Sequence, residues 1–264
     1  MKKIVVVMFA LLMVANKAFA FNTFGHQALS YMTEMHLTEK AKAEINDILQ
    51  NPIHKECVWL NDLRKKAEFA HTKDWHFVHL DIDGKSVTTN DNDCVVQLEK
   101  SIAILRDRGN HNLSTIQDAL RIVIHLVQDM HCLSHYHIEG RDETVQGFSF
   151  RVWDEQNSKH SSSWFVTWWG NWESAYINRY TIFTSQYYAE DINLYAPAKK
   201  EEYSAGTPRF WAENVGEDVF RALKDFYTGE EVRIIHQLTY EHVHDKCMCK
   251  AAYRLAALLN DIFK

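Results

Sequence analysis

The sequence predicts a mainly α protein, and three observations support this class. Apolar residues recur at intervals of three and four, which is the period of an amphipathic helix. The stretches with this period are 27–49, 95–105, 114–131, 208–227 and 238–263. Only three Pro and nine Gly occur in 264 residues, so few positions would interrupt helices. Between residues 148 and 153 apolar and polar side chains alternate instead, which predicts a short strand or part of a β-hairpin.

Two residues mark expected helix ends. Ser114 opens the third periodic stretch and is a candidate N-cap, because a serine hydroxyl can accept a hydrogen bond from a free backbone amide of the first turn. Gly229 follows the fourth stretch and is a candidate stop.

The chain begins with the pattern of a secretory signal peptide. A basic start is followed by an apolar run over residues 4–14 and by the small residues Ala18 and Ala20. The run is too short to span a bilayer comfortably, and no later stretch is long and uncharged enough to do so. We therefore expect export to the periplasm or full secretion, with no stable membrane insertion.

Cleavage after the signal peptide, residues 1–20, would leave Phe21 as the first residue. No linker rich in Pro, Gly or Ser and no internal repeat divides the remainder, so one domain is expected at 21–264. The formal net charge of −6 argues against broad, charge-driven adhesion to nucleic acid. Bound cations would change that locally, since three divalent ions add about +6 at one place.

The odd number of cysteines limits how many disulfides the chain could form. The cysteines are Cys57, Cys94, Cys132, Cys247 and Cys249. In an exported chain this count allows up to two disulfides with one thiol left over. The spacing of Cys247 and Cys249 is tighter than that of an ordinary zinc knuckle, which argues against a metal site there.

Histidine is unusually frequent, with 15 residues, and the sharpest local pattern involves His125, Asp129 and His135. On a helix, His125 and Asp129 are four positions apart and share a face, so an imidazole and a carboxylate can bind one ion. His135 follows just past the expected helix end. The alternative interpretation is a surface His–Asp pair, although the apolar neighbours favour a partly buried site.

Two further histidines are weaker candidates. His76 lies between the aromatic residues Trp75 and Phe77, and His26 follows Gly25 close behind the expected new N-terminus. Each is equally compatible with an ordinary core or surface residue.

Taken together, these motifs resemble the single-strand-specific three-zinc nucleases of the mung bean type (the S-one/P-one nucleases), which are distantly related to bacterial zinc phospholipase C. The resemblance covers nearly all of 21–264. Its segments are 21–26, 59–64, 76–77, 125–135, 172–174 and 252–256. It implies a single-domain helical fold of the phospholipase C/nuclease type with a short β-hairpin.

The resemblance also implies two neighbouring zinc ions. One would be bound by His26, Asp129 and the free amine and carbonyl of Phe21. The other would be bound by His76, His125 and Asp129, whose carboxylate bridges the pair. Where the family has a further Asp ligand, this chain has Asn61, with Asp62 as the alternative ligand.

A third zinc ion would use His135 and the residues that match the family's His-x-x-Trp-Asp pattern. This chain lacks that string, but Glu173 corresponds to its acidic end. The missing imidazole would come from His160, which is equally compatible with a surface residue. We expect two zinc ions and leave the third open.

The implied reaction is hydrolysis of single-stranded DNA or RNA, or of 3′-nucleotides, by a water activated between the paired zinc ions. Asp129 would position this water and Arg64 the phosphate oxygens. Phe77 would stack on a base, unless it is a core residue, and His79 would face the base edge.

Two other functions stay open from the sequence. The first is a zinc phospholipase C-like lipid hydrolase, which an apolar rim would favour. The candidate rim is Trp164, Trp168, Trp169 and Trp172. The second is a catalytically degenerate metal-binding protein. This alternative is suggested by Asn61 and by the absence of the His-x-x-Trp-Asp pattern.

Overall fold

Helices dominate the computed structural model, which describes residues 22–88, 91–141, 149–153, 163–170, 172, 183–226, 234–236 and 241–264. The α-helices of these residues are α1 Thr23–Glu34, α2 Glu39–Leu49, α3 Ile53–Glu56, α4 Trp59–Leu63, α5 Cys94–Arg106, α6 Leu113–Asp129, α7 Trp168–Gly170, α8 Ser185–Asn193, α9 Lys200–Ser204, α10 Pro208–Phe226 and α11 Glu241–Ile262. Short 3₁₀ segments cover Ala67–His76, Arg108–Asn110, Leu133–His135 and Pro197–Lys199. The predicted mainly α class is confirmed.

Two predicted helix boundaries are corrected by local capping. The stretch 27–49 divides into α1 and α2 because Thr38 caps the second helix, its hydroxyl accepting from Ala41 N at 3.2 Å. Helix α6 begins at Leu113, and its N-cap is Asn112, whose Oδ1 accepts from Thr115 N at 3.0 Å. The prediction of Ser114 as the cap was therefore wrong. The proposed stop at Gly229 lies outside the described residues.

Two small sheets accompany the helices. Strands β1 Val78–Leu80 and β2 Tyr136–Ile138 pair in parallel, with His79 opposite His137. In the second sheet, β3 Ser149–Trp153 pairs antiparallel with β4 Ser163–Thr167 and parallel with β5 Ile234–His236. The predicted short strand is confirmed as β3, and its pairing with β4 is that of a hairpin.

Helix α6 lies at the centre of the hydrophobic core. It packs against α1, α4, α5 and α11. The side chains of its second half are fully buried, among them Val123, Ile124, Leu126 and Val127. Burying each such side chain stabilises the fold by about 1.5–3 kcal/mol. This packing carries the last turn of α6, with His125 and Asp129, into the interior.

The cysteine side chains are part of the core. All five thiols are buried, and no two of them form a disulfide, so the predicted disulfides find no support. Burial raises the pKa of Cys57 to about 12 and, with Asp218, that of Cys247 to about 12, which keeps both thiols protonated. Among the helices of the described residues, none has the length and apolar character needed to cross a membrane.

Candidate metal centre

The carboxylate of Asp129 is the meeting point of three imidazoles. His76 Nδ1 lies 2.6 Å from Oδ2, His125 Nε2 lies 3.1 Å from the same oxygen, and His26 Nε2 lies 3.5 Å from Oδ1. All four side chains are fully buried. A carboxylate with an imidazole on each oxygen can bridge two ions, since each oxygen has its own nitrogen neighbours.

Two of these side chains are positioned by the periodicity of helix α6, and a third is positioned by the capped start of helix α1. His125 and Asp129 are four positions apart in the last turns of α6, on the face that the sequence pattern indicates. His26 lies in the first turn of α1. The side chain of Asn22 starts this helix by accepting from Gly25 N at 3.0 Å, so the chain enters α1 beside the site.

The parallel strand pair β1–β2 positions the remaining histidines. His76 precedes β1 by two residues and His135 directly precedes β2. Because β1 and β2 are parallel, the residues that precede them lie at the same edge of this sheet. His135 Nδ1 donates to the backbone oxygen of His76 at 2.9 Å. His135 is 1% exposed, so a fourth imidazole-bearing segment reaches the same buried region.

The rings of His26 and His125 are each held in one orientation by a hydrogen bond from the nitrogen that faces away from Asp129, which is Nδ1. His125 Nδ1 donates to the backbone oxygen of Cys57 at 2.6 Å, and His26 Nδ1 donates to Gln128 Oε1 at 2.6 Å. In a neutral imidazole one nitrogen donates and the other carries a lone pair. Both Nε2 atoms therefore present lone pairs toward Asp129, as metal-ligating histidines do.

The charge states of the cluster are those that metal binding requires. Burial lowers the pKa of His76 to about 3, although the hydrogen bond that His76 Nδ1 donates to the Asp129 carboxylate raises it, and the charge of Arg64 lowers it further. Burial raises the pKa of Asp129, but the nearby His125, His135 and His76 outweigh this and hold it well below its usual range. Neutral imidazoles and an ionised carboxylate are the ligating forms.

Several buried polar atoms of the candidate ligands lack a hydrogen-bond partner in the described part of the chain. They are Asn61 Oδ1, His76 Nε2 and Asp129 Oδ1. Each such atom costs about 1–3 kcal/mol if nothing binds it. One ligand atom from each of His26, His125 and Asp129 lies within 4.8 Å of the others, which is close enough to bind one metal ion. The residues therefore fit a metal centre with nitrogen and oxygen ligands.

Of the two alternative ligands Asn61 and Asp62, Asn61 is the buried one. Asn61 lies on α4 and is 5% exposed, whereas the Asp62 side chain is 65% exposed and pairs with Lys65 at 2.6 Å. The alternative in which Asp62 serves as the ligand is not supported, because its carboxylate points into solvent.

Phe77 is packed into a row of rings. Its ring stacks on His135 with centroids 5.2 Å apart and on His137 at 4.6 Å, and it is 9% exposed. His79 contacts His137 edge-on at 4.9 Å and is half-buried. This geometry supports the core interpretation of Phe77. Arg64 is half-buried at the end of α4.

Sequence reasoning missed three contributors to the site: Gln128, the backbone oxygen of Cys57, and His137. The first two act through contacts that join residues 102 and 68 positions apart, for which the sequence carries no local signal. His137 had a signal, since it lies two positions after His135 and side chains two apart share a strand face.

Three predicted ligands, Phe21, His160 and Glu173, lie outside the described residues. The suggested tryptophan rim is corrected in part. Trp168 and Trp172 are 0% and 1% exposed and contact each other edge to face at 5.5 Å, so both are core residues. The structure does not describe the side chains of Trp164 and Trp169.

Fold and site define a helical protein whose core holds a candidate metal centre made of histidines and one aspartate. The family model described as S1/P1 Nuclease matches residues 21–264. The chain belongs to this family, which supports a nuclease activity, that is, hydrolysis of phosphodiester bonds in nucleic acid. A comparison with curated proteins gives no match.

Proposed function

We propose that the protein is a zinc-dependent nuclease that hydrolyses phosphodiester bonds of single-stranded DNA or RNA. The observation that carries this proposal is the convergence of His26, His76 and His125 on the buried carboxylate of Asp129. Family membership supports phosphodiester hydrolysis, and the ligand set supports the metal.

Zinc is the ion that this ligand set favours. Neutral imidazole nitrogens with a carboxylate suit zinc, whereas all-oxygen sites suit magnesium or calcium. His26 and Asp129, with the amine and carbonyl of Phe21, would bind one ion. His76, His125 and Asp129, with Asn61 Oδ1, would bind the second. When bound, zinc lowers the pKa of a coordinated water toward about 7 and so supplies a nucleophile at neutral pH.

The chain's own residues supply orientation and charge. The ionised Asp129 holds the imidazoles of His26, His76 and His125 together and is placed to orient the attacking water. Arg64 lies close enough to His76 for its charge to lower the pKa of that imidazole, so it borders the site. A guanidinium stays protonated and can bind two phosphate oxygens at once, and we assign Arg64 that role.

We place the contact with a nucleic-acid base at His79 and His137, in the row of rings formed by His135, Phe77, His137 and His79. Phe77 is covered by His135 and His137, so the half-buried His79 and His137 are better placed to meet an unpaired base. Stacking on a ring is tolerant of sequence and needs an unpaired base, which accounts for single-strand preference.

Two further parts of the proposal concern the third ion and export. His135 would bind the third zinc ion together with Glu173 and His160. Residues 1–20 would direct export and then be removed, so that Phe21 gains its free amine. This part of the proposal rests on the basic start, the apolar run over residues 4–14 and the small residues Ala18 and Ala20.

The test combines metal analysis with parallel assays of the mature protein on single-stranded DNA, double-stranded DNA, single-stranded RNA and phosphatidylcholine vesicles. We expect at least two zinc ions per chain and faster hydrolysis of single strands than of duplex. Hydrolysis of the lipid alone would instead indicate a phospholipase C. Bound zinc without any hydrolysis would indicate a degenerate metal-binding protein. Less than one tightly bound metal ion would overturn the proposal.

A further inference from the structure

Gln128 is a buried polar residue in the last turn of α6, directly before Asp129. Its amide is 0% exposed, and both of its ends are bonded to α1. Oε1 accepts from His26 Nδ1 at 2.6 Å, and Nε2 donates to Ser30 Oγ at 2.9 Å. A fully buried amide without partners would be costly, so these bonds fix where the side chain lies.

The two partners of Gln128 share one face of α1. His26 and Ser30 are four positions apart, and both are fully buried. Since Ser30 binds the amide nitrogen, the amide oxygen is left to face the imidazole. A rotated amide would turn its N–H groups toward His26, and the ring would then have to accept at Nδ1. The direction of the amide is therefore coupled to the tautomer of the ring, and the observed direction is the one in which Oε1 faces Nδ1.

This arrangement determines which nitrogen of His26 carries the proton. The Oε1 atom only accepts hydrogen bonds, so Nδ1 must donate, and the lone pair of the neutral ring is on Nε2. That atom lies 3.5 Å from Asp129 Oδ1, and a ring nitrogen of His26 lies within 4.8 Å of a ligand atom from each of His125 and Asp129. The opposite tautomer would direct an N–H group at the ion.

We propose that Gln128 is a positioning residue that holds His26 in the tautomer and orientation that bind zinc. The inference rests on the proposed zinc site and adds a residue to it. As a neutral acceptor, Gln128 orients the ring without adding a second negative charge beside Asp129. Outer-shell partners of this kind commonly change metal affinity by about 10- to 100-fold when removed.

The experiment measures the rate at which the mature zinc-loaded protein loses zinc to a chelating dye. Gln128→Leu keeps similar bulk and removes the acceptor, so we expect one zinc ion to leave about 10- to 100-fold faster. Gln117→Leu is the matched control. It changes the same residue type on the same helix, where Gln117 Nε2 donates to Ile48 O at 2.8 Å, about 16 Å along α6 from Gln128. Its zinc loss should match that of the unchanged protein.

Two further variants separate positioning from packing. Gln128→Glu restores an acceptor at the same reach, so its zinc loss should return close to that of the unchanged protein. In a double-mutant cycle, Gln128→Leu should add no further zinc loss to His26→Ala, because both changes act on the same ligand. Additive effects, or a folded Gln128→Glu that loses zinc as fast as Gln128→Leu, would overturn the proposal.

A purely structural role would give a different pattern. Gln128→Leu would then lower the unfolding midpoint of the metal-free protein while leaving the zinc loss rate unchanged, and that result would also overturn the proposal. Because zinc loss is measured without substrate, the outcome is independent of nuclease activity. A protein that needs Gln128 for zinc but cuts no single strand would contradict the proposed function and leave this inference standing.

Discussion

His135 Nδ1 donates a hydrogen bond to the backbone oxygen of His76 at 2.9 Å, and this bond joins two segments that are 59 positions apart. It holds the His135 ring by one nitrogen and leads directly into the parallel pairing of β1 with β2. The three-residue strands thus align candidate ligands from two distant parts of the chain.

Asp129→Ala should be the most damaging single change to the centre. Among the candidate ligands that the structure describes, it removes the one carboxylate and leaves His26, His76 and His125 without the group that neutralises an ion. We expect loss of most bound zinc and a fall in nuclease activity of roughly 1,000-fold, equivalent to several kcal/mol of lost transition-state stabilisation. Zinc analysis and hydrolysis of single-stranded DNA measure the two effects.

Asp118→Ala is the control for that change. Asp118 lies on the same helix, its side chain is 47% exposed, and it pairs with Arg121 at 3.5 Å. Zinc content and activity should stay unchanged in this variant. If Asp129→Ala kept both near normal as well, the central motif would have only a structural role.

Asn61→Asp should tighten metal retention. The Asn61 Oδ1 atom is buried without a hydrogen-bond partner among the described residues, and a carboxylate at the same reach adds negative charge beside an ion. We expect about tenfold slower zinc loss to a chelator, a change of the size that single ligand partners produce. The control is Asp62→Asn, which changes a solvent-exposed neighbour and should have no effect. Equal zinc loss before and after Asn61→Asp would exclude residue 61 as a ligand.

The chain's beginning provides a third prediction. A free α-amine, with a pKa of about 8, can release its proton and bind zinc, and an internal peptide nitrogen cannot do so near neutral pH. Expression with a retained Met directly before Phe21 should give a folded protein with one weakened zinc site and strongly reduced activity. Intact-mass analysis must confirm each N-terminus before zinc content and hydrolysis are compared. Equal activity of the Met-extended and processed forms would show that Phe21 is not a ligand.

Acid should destabilise the metal-free protein before it unfolds the zinc-loaded one. Burial lowers the pKa of His76 to about 3 in the folded state, whereas an unfolded histidine titrates near 6.5. As pH falls below about 6.5 the unfolded state binds protons that the folded state does not, so the free energy of unfolding decreases until about pH 3. His131, whose pKa is lowered by burial and by Arg254, acts in the same direction.

Urea unfolding in the presence of a chelator at pH 7.5, 6 and 5 measures this effect. The midpoint should decrease at each step, and His76→Gln should reduce the decrease. A midpoint that is constant from pH 7.5 to 5 would mean that burial does not lower the pKa values of His76 and His131.

The parts of the site that the sequence could predict are local. The spacing of His125 and Asp129 within one amphipathic stretch was sufficient to put both side chains on one helix face, because α-helical periodicity is fixed. The helical class followed from the same period, and β3 from the alternation near residue 150. These features depend on neighbours a few positions away.

The features that the sequence did not predict depend on distant contacts. Pairing of β1 with β2 joins segments with only three residues each, which is too short for a strand pattern to be recognised. The hydrogen bond from His26 to Gln128 spans 102 positions. The burial of Phe77 between His135 and His137 follows from the β1–β2 register, and no local pattern distinguishes it from an exposed base platform. Asn112 was missed as a cap because Ser114 is an equally good residue type in the same turn.

The scattered origin of the histidines has a consequence for folding. His125 and Asp129 come together as soon as α6 forms, within microseconds for an isolated helix, but His26 and His76 must close far longer loops. Tight zinc capture therefore reports the completed native state rather than an early intermediate. If the proposed zinc ions bind that state much more tightly than the unfolded chain, each tenfold rise of free zinc above its dissociation constant would add up to about 1.4 kcal/mol per ion to the free energy of unfolding. The protein's lifetime would then follow the zinc supply around it.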